Sequence, residues 1–187
     1  MCTRILAATI AVAIIPRLAA AQDSAAVRAA AAPVANPVSA AFKADAQNAG
    51  KNLMAAADDM PADRYGFKPT AAQMSFADIV AHLAQGNDLL CGKIGGVTAP
   101  TRTKLPARAT KDALVARLKE TFAFCDQALA NLDDSRLAEQ FPVFGPKLRT
   151  RAETMFITTA DWADHYSQVA IYMRLNGLLP PTAKKPM

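Results

Sequence analysis

The sequence predicts an all-α protein, an up-down four-helix bundle, on three observations. Apolar residues recur at steps of three and four in four separate stretches, the period of amphipathic helices. No stretch shows the clear alternation of period two that marks a half-buried strand. The long stretches are joined by loops rich in Pro and Gly, which is how helices of a bundle are punctuated.

The first helix is expected from about Pro37 to Asp59, with Phe42, Ala46, Ala49, Leu53, Ala56 and Met60 along its apolar stripe. Pro37 suits a first helical turn, and Pro61 ends the run. The loop PADRYGFKPTAAQM follows. A second helix starts at Ser75, where Ser75 and Asp78 form a capping box. Phe76, Ile79, Val80, Leu83, Leu90 and Ile94 are its inward stripe, and Gly95-Gly96 stops it. A Pro-containing connection over 97–109 leads to a third helix from Thr110 to about Asp133, with Leu114, Leu118, Phe122, Cys125, Leu129 and Leu132 inward. Residues 134–147, including FPVFGP, read as a loop. The fourth helix covers about Lys147 to Asn176, with Gly177 as its stop and Pro180-Pro181 beyond.

The N-terminus reads differently. Arg4, the apolar run from Ile5 to Ile15 and the small residues Ala19-Ala20-Ala21 are the pattern of a signal peptide over residues 1–21. A retained anchor is the alternative, but a span needs about 20 apolar residues. Cleavage makes the protein periplasmic or secreted. Residues 22–36 are Ala-rich and read as a flexible leader; 37–182 form the bundle and 183–187 a tail. Losing Arg4 and Arg17 lowers the net charge from +5 to +3. That mild balance, without a basic cluster interleaved with aromatics, argues against nucleic acid, and no second long apolar run argues for a membrane after cleavage. Cys91 and Cys125 remain, and export favours their pairing as a disulfide; two buried thiols are the alternative.

The fourth helix carries a polar row. At about 100° per residue Met155, Thr159, Trp162, Tyr166, Val169 and Met173 define the core stripe, while Asp161, His165, Gln168 and Tyr172 cluster beside it. Asp164 falls toward solvent. An acid and a histidine at i and i+4 can ligate one metal from adjacent turns, or the acid can simply orient the imidazole. A third ligand must come from another helix. The other histidine, His82, flanks the stripe of the second helix, with Gly86 leaving space one turn away.

These residues resemble the DinB-like (DinB/YfiT) superfamily of metal-dependent four-helix bundles. The matching pieces are F-x-x-I/L-x-x-H at Phe76, Ile79 and His82, and H-Y-x-Q-x-x-x-Y-x-R-x-N-G-x-x-P-P from His165 to Pro181. The resemblance implies a metal triad of one histidine from the second helix and an H-x-x-x-H pair from the fourth. By position these are His82, Asp161 and His165, with Asp161 standing where the pattern has histidine. It implies a divalent ion, zinc or nickel, and an open position suited to activating a thiol or a water. Gln168 and Tyr172 would then orient ligands or a small-molecule substrate. The expected function is an exported metal-assisted transferase or hydrolase. The alternative is a non-catalytic bundle that binds a small molecule or forms a homodimer.

Overall fold

The computed structural model describes residues 33–184. The chain divides after Val34, and the body from Ala35 onward is the bundle. The expected signal peptide, most of the leader and the last three residues of the tail lie outside the described residues. No described helix is long and apolar enough to cross a membrane.

Four helices dominate: α1 (Pro37–Asp59), α2 (Phe76–Gly95), α3 (Lys111–Leu129) and α4 (Arg151–Leu175). Their starts follow local chemistry. Ser75 and Asp78 close a reciprocal capping box on α2, and Thr150 and Glu153 do the same on α4. Thr110 caps α3 through the Ala113 amide. The third helix stops four residues before the expected Asp133, at Leu129. Leu132 is buried nonetheless, carried inward by the turn that follows.

Two short strands, β1 (Gln140–Pro142) in the expected loop and β2 (Leu148–Thr150) where the first turn of the fourth helix was expected, pair antiparallel with Phe141 opposite Arg149. The helix α4 therefore starts at Arg151 rather than near Lys147. Three-residue strands offer too few positions for alternation to show, and Pro142 at the end of β1 hides it further. Arg151 fastens this hairpin to the bundle. Its guanidinium is 2% exposed; it pairs with Glu139 at 2.7 Å and donates to the carbonyls of Arg136 and Lys93, both at 3.3 Å. Arg136 and Arg151 together hold the Glu139 carboxyl down at about 2.

The helices that pack are α1 with α3 and α4, and α2 with α3 and α4. Consecutive helices α1 and α2 therefore stand on one diagonal, α3 and α4 on the other, and the two long connections cross the ends. This ring order makes α2 and α4 neighbours. Trp162 lies at the centre, 6.0 Å from the rings of both Phe42 and Phe122. Phe76, Leu83, Leu118 and Val169 complete a core in which each large apolar side chain contributes about 1.5–3 kcal/mol.

One polar chain runs through this core. Trp162 Nε1 donates to Asn87 Oδ1 at 2.8 Å, Asn87 Nδ2 donates to Thr121 Oγ1 at 3.2 Å, and Thr121 donates to the Leu118 carbonyl. One turn further along both helices, Cys91 and Cys125 meet with Cα atoms 5.1 Å apart and sulfurs at bonding distance. Beyond them Gly95 abuts α3 so closely that a methyl group there would overlap the Ala128 carbonyl.

Candidate metal centre

The packing of α2 on α4 brings together three side chains that are far apart in sequence. His82 leaves α2 on the flank of its buried stripe; Asp161 and His165 leave α4 one turn apart. Asp161 Oδ1 lies 3.5 Å from His82 Nε2 and 3.4 Å from His165 Nε2. The imidazoles meet edge to face with centroids 4.7 Å apart. One donor atom from each residue falls within 4.8 Å of the others. Gly86 faces the cluster as well: a Cβ there would lie 3.7 Å from Asp161 Oδ2.

The three residues differ in depth. His165 is buried, Asp161 half-buried and His82 exposed, so the cluster opens to solvent on the α2 side. Burial pushes the Asp161 carboxyl upward, but the His165 and His82 imidazoles outweigh it and hold the group below the ordinary carboxylate range. The contact with Asp161 raises His165 against the opposing effect of burial, with smaller help from Asp164 and Gln168.

The donor set suits a divalent ion. Two imidazoles and one carboxylate are ligands that zinc accepts with a position left open. Donors about 2.0–2.2 Å from one ion stand roughly 3–4 Å from each other, which the two contacts to Asp161 already satisfy. His165 Nδ1 is buried without a hydrogen-bond partner, so the protein alone leaves this ring incompletely satisfied.

The remaining expected site residues divide. Gln168 stands beside His165, and its amide donates to Asp164 at 2.7 Å. Tyr172 does not join the cluster: it is 1% exposed, and its hydroxyl donates to the Met74 carbonyl at 3.0 Å, tying α4 to the loop before α2. Much of the polar C-terminal motif is likewise structural. Tyr166 grips Thr182 through two hydrogen bonds, Asn176 returns to the Tyr172 carbonyl at 2.8 Å, and Gly177 turns the chain at φ 76°. A cavity of about 870 Å³ lies between α2 and the 97–109 segment, bordered by Asp78, Gln85, Asp88 and Arg102. None of the three donors lines it.

Asn87 is the polar residue that the sequence reading passed over. It stands in register with Leu83, Leu90 and Ile94, and a polar side chain on a buried stripe was the available signal.

Solved structures share the fold. A DinB-like protein from Bacillus subtilis matches with a TM-score of 0.62 at 18% identity, over 78% of this chain and 99% of that one. A DinB-like protein from Bacillus cereus gives 0.61 at 14% identity, over 75% and 93%. A mutant of the mycothiol-dependent maleylpyruvate isomerase gives 0.56 at 12% identity, over 70% and 60%. No curated protein matches the chain. The DinB superfamily profile matches residues 46–169, a span from within α1 into the last third of α4 that includes all three donors, and the chain belongs to that superfamily.

Proposed function

We propose that the protein is an exported metalloprotein holding one divalent ion, zinc or nickel, between His82, Asp161 and His165. The convergence of these donors across the α2–α4 seam is the observation that carries the reading. Once bound, the ion would supply Lewis acidity at an open coordination position. His165 anchors the site from below, Asp161 supplies the negative charge, and His82 closes it from the solvent side. Gly86 keeps the approach to Asp161 clear.

Metal-assisted hydrolysis or a thiol-type transfer on a small molecule is the reaction class that such an open position supports. A structural neighbour is named for its dependence on mycothiol, which supports testing a thiol. Export favours hydrolysis, which needs no such cofactor. A metal-free bundle is the competing reading, and the contacts of Asp161 with both imidazoles favour it, because they partly satisfy the cluster without an ion.

Protein purified without a His-tag, stripped with chelator and titrated with zinc or nickel separates the two. The wild type should take up one ion per chain. Asp161→Ala should weaken binding at least tenfold, the scale on which even outer ligand partners matter. Asp164→Ala, on the exposed side of the helix, should stay within about threefold of wild type on the same scale. Equal blanks for wild type and Asp161→Ala would sink the metalloprotein reading.

A further inference from the structure

The cavity beside α2 follows from the path of the chain. Helices α2 and α3 run parallel: Asn87 meets Thr121, Cys91 meets Cys125, and Gly95 abuts Ala128. The connection over 97–109 must therefore return along the pair, from the end of α2 to the start of α3. A segment free to settle would lie down on the helices and bury its apolar residues. This one is fastened instead by charge. Arg102 forks onto Asp88 at 2.6 and 3.0 Å and reaches Glu120 at 3.1 Å. Arg117 donates to the Thr103 carbonyl at 2.9 Å.

Beneath the fastened segment, α2 presents small side chains. Ala77, Ala81 and Ala84 fall with Asp88 within an arc of about 60° and line the cavity. Methyl groups do not fill the space under the clamp. About 870 Å³ stays between helix and segment, a size that suits a small molecule. Leu105, Pro106 and Leu114 supply further apolar wall. His82 points about 100° to 160° away from the alanine row, so the cavity and the metal cluster use different sides of α2.

The charges on the walls do not balance. Arg102 and Arg117 are engaged by Asp88 and Glu120, and Asp78 is engaged by the Ser75 cap. Lys104 and Arg108 also line the cavity; both are exposed, and among the described residues neither has a carboxylate partner. Gln85 adds an exposed amide to the same rim. Two unmatched cations beside an apolar floor suit a molecule of opposite charge with an apolar body.

We propose that this cavity binds a small organic anion, an apolar body carrying one carboxylate head. Lys104 and Arg108 supply the field that draws the head, and Ala77, Ala81, Leu105 and Leu114 enclose the body. Binding needs no ion at the histidine cluster.

Titration of isotope-labelled protein in chelator, read by amide chemical shifts, tests charge and place together. The probes are octanoate, octanol and octylammonium, which share a body and differ in the head. Octanoate should bind about tenfold more tightly than octanol, and octylammonium more weakly than either. The shifting amides should fall within 77–88 and 102–117, the segments that line the cavity. Lys104→Ala with Arg108→Ala removes only exposed side chains and should bring octanoate to within about threefold of octanol. Ala81→Trp should block all three probes with helix content unchanged, and Asp161→Ala should bind octanoate as wild type does. Equal affinities for the three probes, or a preference for octanoate that survives in the double variant, overturns the proposal. So does the absence of saturable shifts below the micelle-forming concentration. Shifts centred on His165, or on the groove beside Phe156, would place the anion elsewhere and overturn it equally.

Discussion

Two polar clusters bridge the same helices, α2 and α4, and they are built on opposite terms. Asn87, Thr121 and Trp162 form the inner one: each group is buried, each side-chain donor has an acceptor, and Cys91 and Cys125 meet one turn away. His82, Asp161 and His165 form the outer one, about a turn and a half from Asn87. It is partly exposed, two imidazoles share one carboxylate oxygen, and His165 Nδ1 is left without a partner. A closed network spends its polarity on fixing the core; an open one leaves polarity for something that arrives from outside. The difference separates a structural role from a chemical one on a single pair of helices.

The largest effect should come from the closed side. Bridging a separation of 34 residues stabilises by about 3–4 kcal/mol in the chain-entropy model, so Cys91→Ser with Cys125→Ser should lower unfolding free energy by that amount. Denaturant titration of oxidised protein checks it, and metal affinity measured in parallel should not move. A free-thiol count of two in denatured, unreduced mature protein would remove this support from the closed cluster.

Next in size is Asn87→Leu, which keeps the volume but leaves Trp162 Nε1 without its acceptor, while Thr121 keeps its bond to the Leu118 carbonyl and loses only the donor from Asn87. Leaving a buried donor unpaired costs about 1–3 kcal/mol. The loss should appear in thermal or urea unfolding without a change in ion stoichiometry. If Asn87→Leu abolished ion binding while leaving stability intact, the division between the clusters would be wrong.

The smallest effect is a pH profile of the open cluster. His165 is raised, so its contribution is complete below its unfolded value near 6.5 and is lost as pH rises through its folded value. Asp161 is lowered, so its contribution is complete above its unfolded value near 3.9 and is lost as pH falls through its folded value. Ion-free protein should therefore show a shallow stability maximum between about pH 4 and 6.5, worth no more than about 1 kcal/mol. Urea melts across that range should lose the maximum in Asp161→Asn. Identical profiles for the two proteins would show that the contacts contribute nothing.

The same contrast explains what could be read in the sequence. Phe42, Leu53, Phe76, Leu83, Leu118, Phe122, Trp162 and Val169 are all buried where periodicity placed them, because a helix face is a local property. The α2 start was legible for the same reason: Ser75 and Asp78 act within one turn. Which helices face each other is not local. The diagonal placement of α1 and α2 is absent from any stripe, and so is the reason His82 can reach Asp161. Periodicity offered Asp161 and His165 as a pair; only the family resemblance supplied the third donor. Tyr172 was placed with that pair by angle, yet its hydroxyl reaches the Met74 carbonyl, because the length of a side chain and the path of a loop do not appear on a helical wheel.

Gly95 limits how the α2–α4 seam can move. With no room for a methyl group against Ala128, α2 is seated on α3 at a fixed height and cannot telescope along it. His82 stands thirteen residues up the same helix, about 20 Å from that seat. With Cys91 meeting Cys125 one turn from Gly95, α2 is held against rotation as well. An adjustment that brings its imidazole closer to Asp161 must therefore come from a tilt pivoting near that end, and a small tilt is magnified over that lever arm. The helix is free to aim its histidine but not to slide it.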